Sequence, residues 1–224
     1  MRLSLNSRHF IAAAVLTALL GFLSGFPELS RAAEPAPEAT PVILVLGDSL
    51  SAEYGLKRGT GWVALLEQRL EQENRVAKIV NASISGETTS GGRSRLAALL
   101  ARHKPTQLII ELGANDALRG LPTQSTQDNL DWMTHSAQQM GAKVLLVGML
   151  VPPNYGRDYV QRFAATYRSV ATQRNAGLVP FFFKGLANAG NLEEMFQSDR
   201  LHPTEKAQPI MLDNVWPELK KLLP

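Results

Sequence analysis

The chain has no cysteine among its 224 residues. Disulfides, thiolate metal sites, a cysteine nucleophile and a lipoprotein anchor are all excluded by that absence. Excess charge is nearly absent too. The formal net charge is +3, and Arg2, Arg8 and Arg31 against Glu28 place +2 of it in the first 32 residues, leaving +1 for the rest. So nearly neutral a body offers no electrostatic footprint for nucleic acid. There is no internal repeat, and no Gly-x-Ser-x-Gly occurs anywhere, which disfavours the nucleophile elbow of an α/β-hydrolase. What remains is enough chain for one α/β domain of ordinary size, able to bury its apolar surface without staples.

The N-terminus has the layout of a targeting segment. Arg2 and Arg8 precede an uncharged apolar stretch from Phe10 to Phe26, and Ser30-Arg31-Ala32 presents small residues before a cut after Ala32. Residues 1–32 are therefore expected to be a cleaved signal peptide, with an uncleaved anchor as the alternative. Residues 33–41, containing Pro35, Pro37 and Pro41, form a proline-rich spacer. The working domain is expected at 42–224, in the periplasm or outside the cell, with no stable membrane span after cleavage and as a monomer.

From Val42 onward, short apolar runs alternate with segments of helical periodicity. The runs are Val42–Leu46, Val76–Ala82, Leu108–Leu112, Val144–Leu150 and Leu178–Phe183. Val42–Leu46 is continuously rather than alternately apolar, which suits a parallel strand covered on both faces. Helical spacing is expected from Trp62 to Leu70, around Leu96–Leu100 up to His103, over Thr123–Met140 and Asp158–Arg174, and from near Pro203. This alternation predicts one open, mostly parallel sheet with helices on both faces. Strand order is not legible from periodicity.

Ligands of such sheets bind beyond the carboxyl ends of the strands. The segments that follow the first, second, third and fifth runs are Gly47-Asp48-Ser49-Leu50-Ser51, Ser83-Ile84-Ser85-Gly86, Gly113-Ala114-Asn115-Asp116 and Ser198-Asp199-Arg200-Leu201-His202. Acyl transfer needs a nucleophile, a base held in one tautomer, and donors for the developing oxyanion. Of the four histidines, His9 lies in the export segment, and His103 and His135 fall on flanking helices. Only His202 is on the active edge. Asp199, three residues earlier, is placed to orient it as the base for Ser49. Ser49, Gly86 and Asn115 are the candidate oxyanion donors, the first two through backbone N–H groups and the third through its amide.

Together these blocks resemble the SGNH (GDSL) hydrolase family. Gly47-Asp48-Ser49-Leu50, Gly86, Asn115 and Asp199-x-x-His202 stand in its order, and the likeness extends from about Val42 to the C-terminus. It is closest to the bacterial thioesterase I, arylesterase and lysophospholipase L1 branch, through Leu46–Ala52, Asn81–Gly86, Glu111–Asp116 and Pro153–Arg157. Ala114 and Glu53 depart from the smaller residues common in that branch. The resemblance implies a three-layer α/β/α sandwich on a five-stranded, parallel, flavodoxin-like sheet. It also implies hydrolysis of esters, thioesters or lysolipids through an acyl-enzyme, without metal or cofactor.

Simpler roles are expected for other residues. Asp48 and Asp116 suit acceptors of backbone N–H groups in tight turns. Trp62, Trp132 and Trp216 are spaced as core residues, and Arg93, Arg95 and Arg102 as a solvated helix face. The competing functional reading is a non-catalytic periplasmic flavodoxin-like binding module, which leaves His202 and Asp199 without a task.

Overall fold

The computed structural model describes residues 40–188 and 192–224. The export segment and all but the last two residues of the spacer lie outside the described residues. Five parallel strands form one sheet: β1 (Val42–Gly47), β2 (Lys78–Asn81), β3 (Gln107–Glu111), β4 (Lys143–Val147) and β5 (Gly177–Val179). Their spatial order is β2-β1-β3-β4-β5, the flavodoxin-like arrangement. Continuous apolarity in β1 and β3 is explained by position: Ile43–Leu46 and Leu108–Ile110 are fully buried at the centre of the sheet.

The helices are α1 (Trp62–Gln72), α2 (Thr89–His103), α3 (Ala114–Leu118), α4 (Thr123–Gln139), α5 (Arg157–Arg174), α6 (Leu192–Met195) and α7 (Gln208–Lys220). The order reverses at β1. Right-handed crossovers therefore put the β1-to-β2 helix on one face and the β2-to-β3, β3-to-β4 and β4-to-β5 helices on the other. The packing agrees, since α1 rests against α7 while α4 rests against both α2 and α5. Local signals end these helices where expected. Lys104 turns left-handed (φ 44°) before Pro105, and Gly141 takes φ +84° just beyond α4.

Three expectations change. β4 and β5 are shorter than their apolar runs, because Pro180 has no N–H to continue a ladder; pairing resumes only where Phe182 N–H donates to Gly148 O at 2.8 Å. α3, a five-residue helix directly after β3, carries no periodic signal in sequence. Trp132 is exposed rather than core, with the Arg93 guanidinium 4.8 Å above its ring, whereas Trp62 and Trp216 are buried. Among the described residues no helix is long and apolar enough to cross a membrane.

Candidate active site

The reversal between β1 and β3 leaves a crevice at their carboxyl ends, as open α/β sheets do. The chain leaves β1 through Gly47. A Cβ at that position would lie 2.7 Å from Ser51 Cβ and 2.9 Å from Ser83 Oγ, so only glycine admits so tight a turn. Asp48 Oδ1 accepts the Leu50 N–H at 3.0 Å, and Asp48 O accepts Ser51 N–H and Ala52 N–H at 3.2 and 2.9 Å. Ser49 is held half-exposed at the apex. No helix follows directly, so Ser49 is not a helix cap; α1 begins only at Trp62.

The segment carrying Asp199 and His202 is pinned from both sides. Gln197 N–H donates to His202 O at 2.8 Å, and Thr204 N–H to Met195 O at 2.8 Å. Gln197 Nε2 also reaches Tyr54 O at 2.9 Å, tying this segment to the loop after β1. Asp199 Oδ1 accepts the N–H groups of Leu201 and His202 at 2.9 and 3.0 Å. Its other oxygen lies 2.7 Å from His202 Nδ1, and His202 Nε2 lies 2.9 Å from Ser49 Oγ.

Asp199 is held down to about 2, chiefly by the His202 backbone N–H, then by the His202 ring and the Leu201 N–H. It is a permanent carboxylate at neutral pH and only accepts. The imidazole proton therefore belongs on Nδ1, which leaves Nε2 free to accept from the Ser49 hydroxyl. Tyr54 lies against the same ring.

Asn115 approaches from the β3 side of the reversal, and Gly86 from the loop after β2. Asn115 stands in the first turn of α3, its Nδ2 donating to Asp48 Oδ2 at 2.9 Å. Gly86 takes φ +79°, and its carbonyl accepts Arg119 Nη2 at 2.9 Å from the end of α3. Among the described residues, the N–H groups of Ser49 and Gly86 and the second amide N–H of Asn115 have no protein acceptor. Asp116 is structural as expected: its carboxylate accepts the N–H and hydroxyl of Thr89 and the hydroxyl of Thr126, joining α2, α3 and α4.

Beside Ser49 and His202 opens a cavity of about 290 Å³, lined by Leu118, Met149, Val151, Tyr155, Phe183 and Leu201 among others. Its apolar wall suits an acyl chain or aryl group. Ala114 also lines it. Glu53 does not; it takes a left-handed φ of 59° and holds the loop after β1 by accepting the N–H groups of Gly59 and Gly61. Among the described residues no three His, Asp or Glu side chains are grouped to hold a metal ion.

Three residues around the site have contacts that the sequence alone does not announce. Glu111 falls in the third apolar run and in a stretch of the family resemblance without a role of its own, although an acid ending an apolar run is a signal in itself. Tyr54 and Arg119 carry no local signal and act through long-range contacts. Arg95 is not simply solvated: it pairs with Glu87 at 2.6 Å and is partly buried.

The profile of the GDSL-like lipase/acylhydrolase family matches residues 45–209. The chain is 50% identical over 185 residues to esterase TesA of Pseudomonas aeruginosa, covering 83% of this chain and 90% of that protein. It is 37% identical over 185 residues to thioesterase 1/protease 1/lysophospholipase L1 of Escherichia coli K12, covering 83% and 86%. Its fold matches the crystal structure of the psychrotrophic esterase EstA from Pseudoalteromonas sp., inhibited by monoethylphosphonate. That match has a TM-score of 0.75 and 42% identity, covering 80% of this chain and 97% of that one.

Proposed function

Because the chain belongs to the GDSL-like lipase/acylhydrolase family and is an ester hydrolase, we propose that it cleaves carboxylic esters through an acyl-enzyme formed on Ser49. His202 acts as base, Asp199 orients it, and Ser49, Gly86 and Asn115 supply the oxyanion donors. The single observation that carries this mechanism is the continuous chain from Asp199 through His202 to Ser49, with links of 2.7 and 2.9 Å.

As the Ser49 oxygen attacks the substrate carbonyl, its proton passes to His202 Nε2, and the new imidazolium is stabilised by Asp199. The carbonyl oxygen becomes an anion. Three donors without a protein acceptor then offset its charge, in a site partly shielded from water. His202 returns the proton to the departing alkoxide or thiolate. Water, deprotonated by the same ring, releases the acid and restores Ser49.

Aryl and short-chain esters are the substrates we expect first, with acyl thioesters and lysophospholipids as longer candidates for the same apolar cavity. Residues 1–32 are proposed to direct export and 33–41 to act as a spacer, placing the domain at 42–224 in the periplasm or outside the cell. The rival reading as a non-catalytic binding module is set aside: it assigns no work to the aligned hydroxyl, imidazole and carboxylate, and the family is one of hydrolases.

The test is turnover of p-nitrophenyl butyrate by the wild type, Ser49→Ala and His202→Ala, with melting temperatures measured alongside. Both variants are expected to stay folded and lose activity by roughly a million-fold, the scale for a nucleophile or its base. Retained activity in either removes the mechanism.

A further inference from the structure

Behind the nucleophile turn lies a buried acid that the acyl-transfer scheme does not use. β1 and β3 pair in a register that sets Gly47 opposite Glu111. The Glu111 side chain therefore rises against the base of the turn that follows Gly47. Glu111, Asp48 and Ser51 are all buried. The two acids meet at the base of the turn, where Glu111 Oε2 lies 3.4 Å from the Asp48 backbone N–H, and two buried carboxyl groups this close disfavour being ionised together.

The surrounding donors decide which of them holds a proton. Trp62 Nε1 is a donor only, and it lies 3.1 Å from Ser51 Oγ. Ser51 must therefore accept from the indole and spend its single proton elsewhere. That proton goes to Glu111 Oε2, at 2.7 Å. The Asp48 backbone N–H points at the same oxygen from 3.4 Å. Oε2 is thus an acceptor, and any proton on Glu111 sits on its other oxygen. Asp48 is different, since both of its oxygens already accept: Oδ1 from Leu50 N–H at 3.0 Å, and Oδ2 from Asn115 Nδ2 at 2.9 Å. This arrangement favours Asp48 as the carboxylate and Glu111 as the acid.

We propose that Glu111 is a positioning residue which, as a protonated acid donating to Asp48, keeps Asp48 an acceptor and thereby aims the amide of Asn115 at the oxyanion. The relay runs from Trp62 through Ser51 and Glu111 to Asp48, where the amide of Asn115 docks. With one Nδ2 proton fixed on Asp48, the other is directed outward, and the amide cannot flip without setting its oxygen against a carboxylate. Burial agrees with this polarity. It pushes the Glu111 carboxyl well above the usual range, assisted by the charge of Asp48, and raises Asp48 only to about 6.

The inference rests on the reading of Asn115 as an oxyanion donor, and the experiment separates the two. Steady-state kinetics with p-nitrophenyl butyrate are measured for the wild type, Glu111→Gln, Glu111→Leu, Asp48→Asn, Asn115→Ala and the double variant Asn115→Ala/Glu111→Leu. Gln at 111 reproduces a protonated acid, donating to Asp48 and accepting from Ser51, and should keep kcat within about threefold of wild type, whereas Asp48→Asn should lose at least about tenfold. Glu111→Leu should lose at least about tenfold in kcat with KM within about threefold. In the Asn115→Ala background the same change should cost less than about twofold, because the group it acts through is gone.

If Glu111→Gln is as impaired as Glu111→Leu, or if Glu111→Leu costs as much without Asn115 as with it, the assignment is overturned. Should Glu111→Leu not fold, the contrast between Glu111→Gln and Asp48→Asn decides alone, with equal losses overturning it. A wild type without turnover removes the Ser49 reading and this inference with it. Turnover in the wild type with either failure above removes only the inference.

Discussion

The ring of Tyr54 lies against the ring of His202, with centroids 4.4 Å apart and planes tilted by 40°. Tyr54 belongs to the loop after β1 and His202 to the segment before α7, so this contact joins the Ser49 side of the site to the His202 side. An aromatic pair of this kind contributes about 0.5–1.5 kcal/mol beyond its buried area. Tyr54→Ala should lower kcat by roughly 2- to 10-fold, the rate equivalent of that energy. Tyr54→Phe keeps the ring and should match the wild type. Comparable losses in the two would mean that the hydroxyl, not the stack, matters.

Asp199→Asn should be damaging but milder than loss of Ser49 or His202. An amide can still meet the ring, yet it no longer enforces a proton on Nδ1 or stabilises the imidazolium. A fall in kcat of roughly ten-thousand-fold is expected, against roughly a million-fold for the other two.

The same carboxylate has a signature in stability. Its folded-state value lies at about 2, below the ordinary 3.8. The contribution is therefore present above pH 3.8 and is lost as pH falls through about 2. Thermal melts from pH 5 to pH 2 should show a steeper acid-side decline in the wild type than in Asp199→Asn. Parallel curves would place the origin of the decline elsewhere.

Asn115→Ala should lower kcat by roughly 100- to 1,000-fold with little change in KM, because the donor is needed when charge develops on the carbonyl oxygen rather than when substrate binds. A rise in KM at constant kcat would instead make Asn115 a ground-state contact.

Gly113 links β3 to α3 at φ +120°. A Cβ there would collide with the hydroxyl of Tyr167, which itself donates to Leu112 O at 3.0 Å. Gly113→Ala should destabilise the fold by about 1–3 kcal/mol through its backbone conformation alone, and displace Asn115 two residues on. Urea denaturation gives the stability and kcat the displacement. An unchanged midpoint would show that the backbone relaxes at no cost.

Much of this is legible in the sequence, and for a definite reason. Continuous apolar runs announce parallel strands, and in such sheets chemistry gathers just after them, so Ser49, Asn115 and His202 stood out among serines, asparagines and histidines elsewhere in the chain. Strand order was not legible, because periodicity reports which face a residue shares and not which strand lies beside it. α3 escaped because five residues make too few turns for a pattern. Trp132 was misplaced because helical spacing alone does not distinguish a buried stripe from an aromatic lying under an arginine. The acid pair was hidden for a related reason: Glu111 and Asp48 lie far apart in sequence and meet only through the pairing of β1 with β3.

The central claim is that the Ser49 hydroxyl is made nucleophilic by His202. Its most direct measurement is the mass of the intact protein and of its Ser49-containing peptide after exposure to a fluorophosphonate, for the wild type and for His202→Ala. A single phosphonyl adduct on Ser49 in the wild type, absent from His202→Ala under the same exposure, is the predicted result. An adduct on another residue, or equal labelling of Ser49 without the imidazole, would contradict it.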